Sequence, residues 1–140
     1  MLPGDHPLAC SDDPVKLGEL GEIDLIGYRV CRAHAQVEQH LRSKGIEPRV
    51  VFRAEDNSLL QRLVAAGIGA AIMPLLAVDS HLEAVEVRDL SGVLPDRRIG
   101  LVFHGDRYRA PAQRAFVELA LDHAARLAEQ LSFGMLHAQR

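Results

Sequence analysis

No run of lysine or arginine occurs in this sequence, and its 16 Lys and Arg are outnumbered by 19 Asp and Glu, for a formal net charge of -3. Nucleic-acid-binding surfaces carry a basic patch, so DNA or RNA binding by this chain alone is not expected. Long apolar runs are missing too. The longest uncharged window, residues 63–78, is broken by Gly and Pro and falls short of the ~20 residues that span a bilayer. The opening MLPGDHPLAC lacks the basic-then-apolar order of a secretory signal, and a cytoplasmic protein is expected, with no membrane contact. Only two cysteines are present, Cys10 and Cys31, without a Cys-x-x-Cys pair, which excludes a zinc knuckle and a disulfide framework. No G-x-S-x-G elbow surrounds Ser58 or Ser80, and no nucleophile, base and acid set is visible. An enzyme is therefore not expected, and no cofactor is implied.

What is present suits a packed core. The chain has 140 residues, 48% of them hydrophobic, enough for one domain or two small lobes. Short strands alternate with helices. Residues 24–28, DLIGY, form a compact apolar run that reads as a buried strand. Over residues 33–44 Ala33, Val37 and Leu41 recur every fourth position, and Gly45 supplies a left-handed stop, so an amphipathic helix faces a sheet. Pro48 opens PRVVFRA, a β-branched and aromatic strand, and Asp56, Asn57 or Ser58 caps a second helix, SLLQRLVAAG.

Residues 63–74 read LVAAGIGAAIMP, with no charge in a chain that is 25% charged. The helix carries Leu60, Leu63, Val64 and Gly67 at i, i+3, i+4, i+7 spacing, and Gly67 ends it by taking a positive φ. Residues 69–73 are then too short and too apolar for anything but a strand buried on both faces, ended by Pro74. The glycines follow a helix and precede a strand, the reverse of a dinucleotide-binding loop. An α/β fold results.

The run VVFRAEDNSLLQRLVAAGIGAAIMPLLA, residues 50–77, resembles the effector-binding domain of LysR-type transcriptional regulators: strand, acidic cap, helix, then V-x-A-G-x-G-x-x-x-x-P. Around it HPLA at residues 6–9 resembles the start of that family's second subdomain. VKLGELGEIDLIGYR resembles its first strand there, and RRIGLVFHGDRYRAPAQRAFVEL its return strand and closing helix. The resemblance covers about residues 6–125. It implies a type II periplasmic-binding-protein-like fold, with two α/β lobes and a small-molecule effector in the cleft between them. By that resemblance residues 1–5 are a leader, 6–90 a complete second lobe, 91–130 the crossover strand and C-terminal helix of the first lobe, and 131–140 a tail. The winged helix-turn-helix and most of the first lobe have no counterpart in these residues, so any DNA contact belongs to the full-length regulator. The competing reading is a stand-alone solute-binding protein or enzyme on a similar bilobal fold. That reading calls for a signal peptide or a polar catalytic cluster.

Ligands of open parallel sheets sit beyond the carboxyl ends of the strands, where helix N-termini present free N–H groups and a positive dipole end. Three such ends exist: residues 29–32 (RVCR), residues 55–58, and Met73 with Pro74. In the family the effector contacts of this lobe lie mostly in the loop matching residues 29–32. Candidate effector-binding residues are therefore Arg29, Val30, Cys31, Arg32, Asn57 and Met73, with Asp56 and Asn57 serving first as caps. Two arginines at a helix N-terminus suit a carboxylate, because Arg offers a planar donor fork. The alternative is that one or both pair with surface acids.

Other chemistry is weaker. His34 and Glu38 stand at i, i+4, but no second His joins them at metal-ligand spacing, and a solvated helix face is the expectation. Cys31 lies near a helix N-terminus and two arginines, conditions that lower a thiol pKa, yet the paired cysteines of the family's peroxide sensors are absent, and it reads as a small packed residue. In the C-terminal part, Pro111 suits a first helical turn, and Ala112, Ala115, Phe116, Leu119, Ala120, Ala124 and Leu127 make one apolar stripe. Such a stripe, with Leu131, Phe133, Met135 and Leu136 beyond it, predicts a homo-oligomer formed through helices.

Overall fold

The computed structural model describes residues 1–105, 108 and 110–137, with the backbone alone for 131–137. The chain divides into two units, Met1–Arg97 and Arg98–Arg140.

In the first unit β1 is Leu2–Pro3, β2 Asp24–Tyr28, α1 Arg32–Ser43, β3 Arg49–Ala54, α2 Asn57–Ala65 and β4 Val85–Glu86. β2 and β3 pair in parallel from Asp24↔Arg49 to Tyr28↔Ala54. The register slips between Leu25 and Ile26, where Val51 finds no partner. Leu25 and Ile26 are both buried, as a strand covered on two faces requires. Leu25 packs with Leu41 of α1 on one side, and Ile26 with Leu60 and Val64 of α2 on the other. Each of these side chains contributes roughly 1.5–3 kcal/mol by leaving water.

The helix boundaries follow their signals. Gly45 takes φ +77 after α1 and Gly67 φ +76 after α2, and the Ile68 amide closes the second helix on the Leu63 carbonyl at 3.1 Å. Asp56 caps α2, its Oδ1 accepting from the Leu59 amide at 2.8 Å.

Residues 69–73 occupy the centre of the sheet, but as an extended segment with one parallel bridge, Leu25↔Ala70, not as the full strand expected. Ala70 is bonded on one side, its carbonyl to the Ile26 amide and its amide to the Asp24 carbonyl, both at 2.7 Å. Ala71 is bonded on the other, exchanging two 2.9 Å bonds with Met1. The ladder is limited to two residues because the segment turns away towards Pro74 and the 3-10 turn Leu75–Ala77. Gly69 permits the approach: a Cβ there would stand 2.7 Å from the Asp24 carbonyl oxygen.

Residues 1–5 were expected as a leader. Residues 1–3 are instead buried, with β1 antiparallel to β4 through Leu2↔Glu86 and Pro3↔Val85. Apolar Met1 and Leu2 fill the two core clusters on either side of the sheet. Main-chain pairing thus runs β3, β2, residues 70–71, β1, β4. Arg88 ties down the long connection after β1, donating from Nη1 to the Leu8 carbonyl at 2.9 Å and from Nη2 to the Asp13 carbonyl at 2.6 Å.

The second unit holds α3, Pro111–His137. The return strand expected near residues 97–108 does not form among the described residues, and Ile99 and Val102 are exposed. A strand needs a neighbour to take its amides and carbonyls, and no other described segment of this unit is extended and paired. α3 is longer than the stripe suggested and takes in residues 131–137, expected as tail; residues 138–140 of that tail lie outside the described residues. Among the described residues no helix is long and apolar enough to cross a membrane.

Candidate functional site

β2 ends at Tyr28, β3 at Ala54, and the chain passes from both into helix N-termini on one edge of the sheet. The Arg29 amide donates to the Ala54 carbonyl at 2.9 Å, carrying the pairing one residue past β2. The turn then presents Val30, 92% exposed, and Cys31, a free thiol, before Arg32 opens α1. Cys31 is the N-cap, but its side chain makes no capping bond, and no acidic residue stands in the first turn of α1. The helix therefore begins with amides that no side chain neutralises, a favourable place for an anion. α2 is different. Its N-terminus already holds the Asp56 carboxylate, so of the two helix ends only that of α1 suits a negative ligand.

The six expected residues are not equally placed. Arg29 Nε pairs with Glu55 Oε1 at 3.3 Å, both side chains exposed, so the surface-acid alternative holds for this arginine. Arg32 and Val30 are exposed beside it. Asn57 is occupied: its Nδ2 donates to the Ala77 carbonyl at 3.3 Å, and Gln61 Nε2 donates to the same oxygen at 3.2 Å, tying α2 to the following turn. Met73 packs against the core cluster of Ile26 and Leu60. Tyr28, which sequence reasoning missed, stands in the same corner. Burial first, then the charges of Cys31 and Asp56, push its phenol above the ordinary value of 10.0.

The largest departure lies behind the turn. His34 and Glu38, expected on a solvated helix face, are 5% and 6% exposed. α1 is rotated so that His34, Glu38 and Leu41 face the sheet, while Ala33 and Val37 are half-buried at its flank. The reason is Arg53 of β3. Its Nη1 donates to Glu38 Oε1 at 2.7 Å and its Nη2 to Oε2 at 3.0 Å, a two-pronged charge-assisted contact that makes a buried carboxylate tolerable. Arg42 Nη2 adds a second cation at 3.5 Å. The Arg53 hydrogen bond is the main cause holding the Glu38 carboxyl below its usual range, against the opposing effect of burial. Glu38 in turn raises the Arg53 guanidinium. His34 Nε2 lies 3.6 Å from Glu38 Oε1, without a hydrogen-bond partner among the described residues. Burial pushes the imidazole below its ordinary range; Glu38 opposes this, Arg53 adds to it, and the Ile72 carbonyl opposes it. One signal in the sequence was available: His34, Glu38 and Leu41 also follow helical spacing.

A cleft of about 200 Å³ lies at the opposite edge, between Pro3, His6, Asp24, Arg49 and Gly69. Asp24 and Arg49 pair across it, and the C-terminal end of α2 reaches it at Gly67. That edge receives helix C-termini, so it lacks the free amides and positive dipole end of the α1 edge. Among the described residues no three His, Cys, Asp or Glu side chains are grouped to hold a metal ion.

Residues 1–125 match the family model described as LysR substrate binding domain. The chain is 27% identical over 124 residues to the uncharacterized HTH-type transcriptional regulator YybE of Bacillus subtilis, covering 88% of this chain and 42% of that protein. It is 34% identical over 128 residues to the HTH-type transcriptional regulator MetR of Salmonella typhimurium, covering 89% and 39%. It thus spans about two fifths of the length of the curated relatives it matches. The solved effector binding domain of QuiR in complex with shikimate superposes with a TM-score of 0.55 over 89% of this chain and 59% of that one, at 18% identity, a likeness of fold. With helices on both faces of its sheet and a family match over most of its length, the chain belongs to the LysR substrate binding domain family, whose fold is of the type II periplasmic-binding-protein kind.

Proposed function

We propose that this chain is the small-molecule-sensing part of a cytoplasmic LysR-type transcriptional regulator, a binding module and not an enzyme, and that its effector is a small carboxylate held at the N-terminus of α1. The observation that carries the ligand class is the uncapped start of α1 between Arg29 and Arg32. Arg29 is held by Glu55 through a solvent-exposed contact, which contributes little and yields readily to a competing carboxylate. Binding places a carboxylate on the free amides of α1, with the guanidinium forks of Arg29 and Arg32 on either side. The shikimate of the QuiR structure, a small hydroxylated carboxylate, makes a suitable first probe. Contacts with DNA fall to the full-length regulator. Self-association through helices completes the reading, supported by the exposed apolar side chains of α3.

Calorimetric titration of shikimate and related small carboxylates into the chain and into Arg29→Ala/Arg32→Ala tests the site. The double variant should lose binding by at least about tenfold, since a charge-assisted contact is worth roughly 1.5–3 kcal/mol, with a nearly unchanged thermal midpoint. Equal affinities in the two proteins would overturn it.

A further inference from the structure

Arg53 does more than neutralise Glu38. The Nη1 that donates to Glu38 Oε1 also donates to the Tyr28 carbonyl at 3.2 Å. One guanidinium thereby joins the middle of α1 to the last residue of β2, immediately before the turn that presents Arg29, Val30 and Cys31. Space for this junction exists because residue 27 is glycine: a Cβ there would stand 2.9 Å from His34 Nε2 and 3.0 Å from Arg53 Nη1. The geometry is also fixed. Glu38 is buried and takes both prongs of the fork, so Arg53 cannot swing to solvent without leaving the buried carboxylate only its 3.5 Å contact with Arg42.

We propose that Arg53, anchored on Glu38, is a positioning residue for the effector turn: by holding the Tyr28 carbonyl it sets the direction in which the chain leaves β2, and with it where Arg29 and the first amides of α1 point. The assignment rests on the reading of that turn as the effector contact. Lysine at 53 keeps the charge but carries its three donors on one nitrogen, which cannot reproduce the planar fork on both Glu38 oxygens and reach Tyr28 at once. Methionine at both 38 and 53 removes the buried carboxylate together with its partly exposed partner, so that neither is left unpaired, while deleting the bond to Tyr28.

Cys31 provides a built-in reporter at the end of the turn. In a Cys10→Ser background, the alkylation rate of Cys31 by iodoacetamide is measured for the parent, Arg53→Lys and Glu38→Met/Arg53→Met, each without urea and at low urea. Loss of a charged hydrogen bond that fixes the turn should raise the rate roughly tenfold in the double variant, and in the same direction in Arg53→Lys. The increase should be independent of low urea, which marks a local opening; a rate that rises with urea reports global unfolding and speaks against the assignment. Carboxylate affinity should fall in parallel. If Glu38→Met/Arg53→Met fails to fold, Arg53→Lys decides alone. An unchanged Cys31 rate with carboxylate binding intact overturns the positioning role, whereas a raised rate in a protein whose Arg29 and Arg32 prove irrelevant to binding overturns the effector reading and leaves Arg53 as the residue that shapes the turn.

Discussion

The imidazole of His34 rests against Gly27, so closely that a side chain at residue 27 would put its Cβ 2.9 Å from Nε2. The same Cβ would press on Arg53 Nη1, which is held by Glu38 and could retreat only by loosening that contact. Gly27→Ala should therefore cost about 1–3 kcal/mol, the usual range for overpacking a fitted site. Urea titration reads it; a loss under about 0.5 kcal/mol would mean that ring and guanidinium yield freely.

Gly69→Ala should be worse. Its Cβ would meet the Asp24 carbonyl oxygen at 2.7 Å, a backbone atom engaged with the Ala70 amide. The expected loss lies at or above the top of that ~1–3 kcal/mol range, and the amides of Ile26 and Ala70 should lose protection from hydrogen exchange first. Protection at Ile26 equal to that of the parent would contradict the close approach.

Acid should weaken the fold in a defined window. Burial lowers the Met1 ammonium from 8.0 to about 6, so between those values the unfolded chain holds a proton that the folded chain has released. Stability therefore rises with pH across that window and is lost as pH falls through it, by about 2.7 kcal/mol for a shift of two units, an upper figure. His34, held below its ordinary 6.5 chiefly by burial, and Glu38, held below its ordinary 4.5 chiefly by Arg53, act in the same direction at lower pH. Adding Gly-Ser before Met1 moves the amine out of the core and should flatten the urea midpoint between pH 8 and pH 6. An equally steep profile in the extended protein would assign the effect elsewhere.

Phe116 and Leu119 of α3 are 59% and 64% exposed. Sedimentation velocity should show concentration-dependent association of the parent, and Phe116→Asp/Leu119→Glu should reduce it to monomer while leaving the urea midpoint of the first unit unchanged. A parent that stays monomeric across the micromolar range would rule out association through this helix.

The four central elements were legible because their signals are local. Gly45, Gly67 and Asp56 end or begin helices through their own backbone and side chain, and the apolar run of β2 is continuous. The misreadings share a different cause. Burial of His34 and Glu38 depends on Arg53, fifteen residues after Glu38, and on the missing side chain of Gly27. Membership of residues 1–3 in the sheet depends on partners at Ala71, Val85 and Glu86. The run at residues 97–108 has strand composition, but composition supplies no neighbour to pair with. Of the candidate site, the turn at residues 29–32 was visible from strand and helix order, while the pairing of Arg29 with Glu55 and the core position of Met73 follow from tertiary packing.

The antiparallel pairing of β1 with β4 carries a consequence for synthesis. On the ribosome Leu2 emerges long before Val85, Glu86 and Arg88 exist, so the outer side of its strand and the segment held by Arg88 wait for their partners. β2, α1, β3 and α2 find one another within a short stretch of sequence and can assemble while translation continues, whereas the contact of largest sequence separation closes last. Until residue 88 has been made, the outer side of residues 2–3 has no strand to pair with, and a ribosome stalled there carries an edge free to capture another strand.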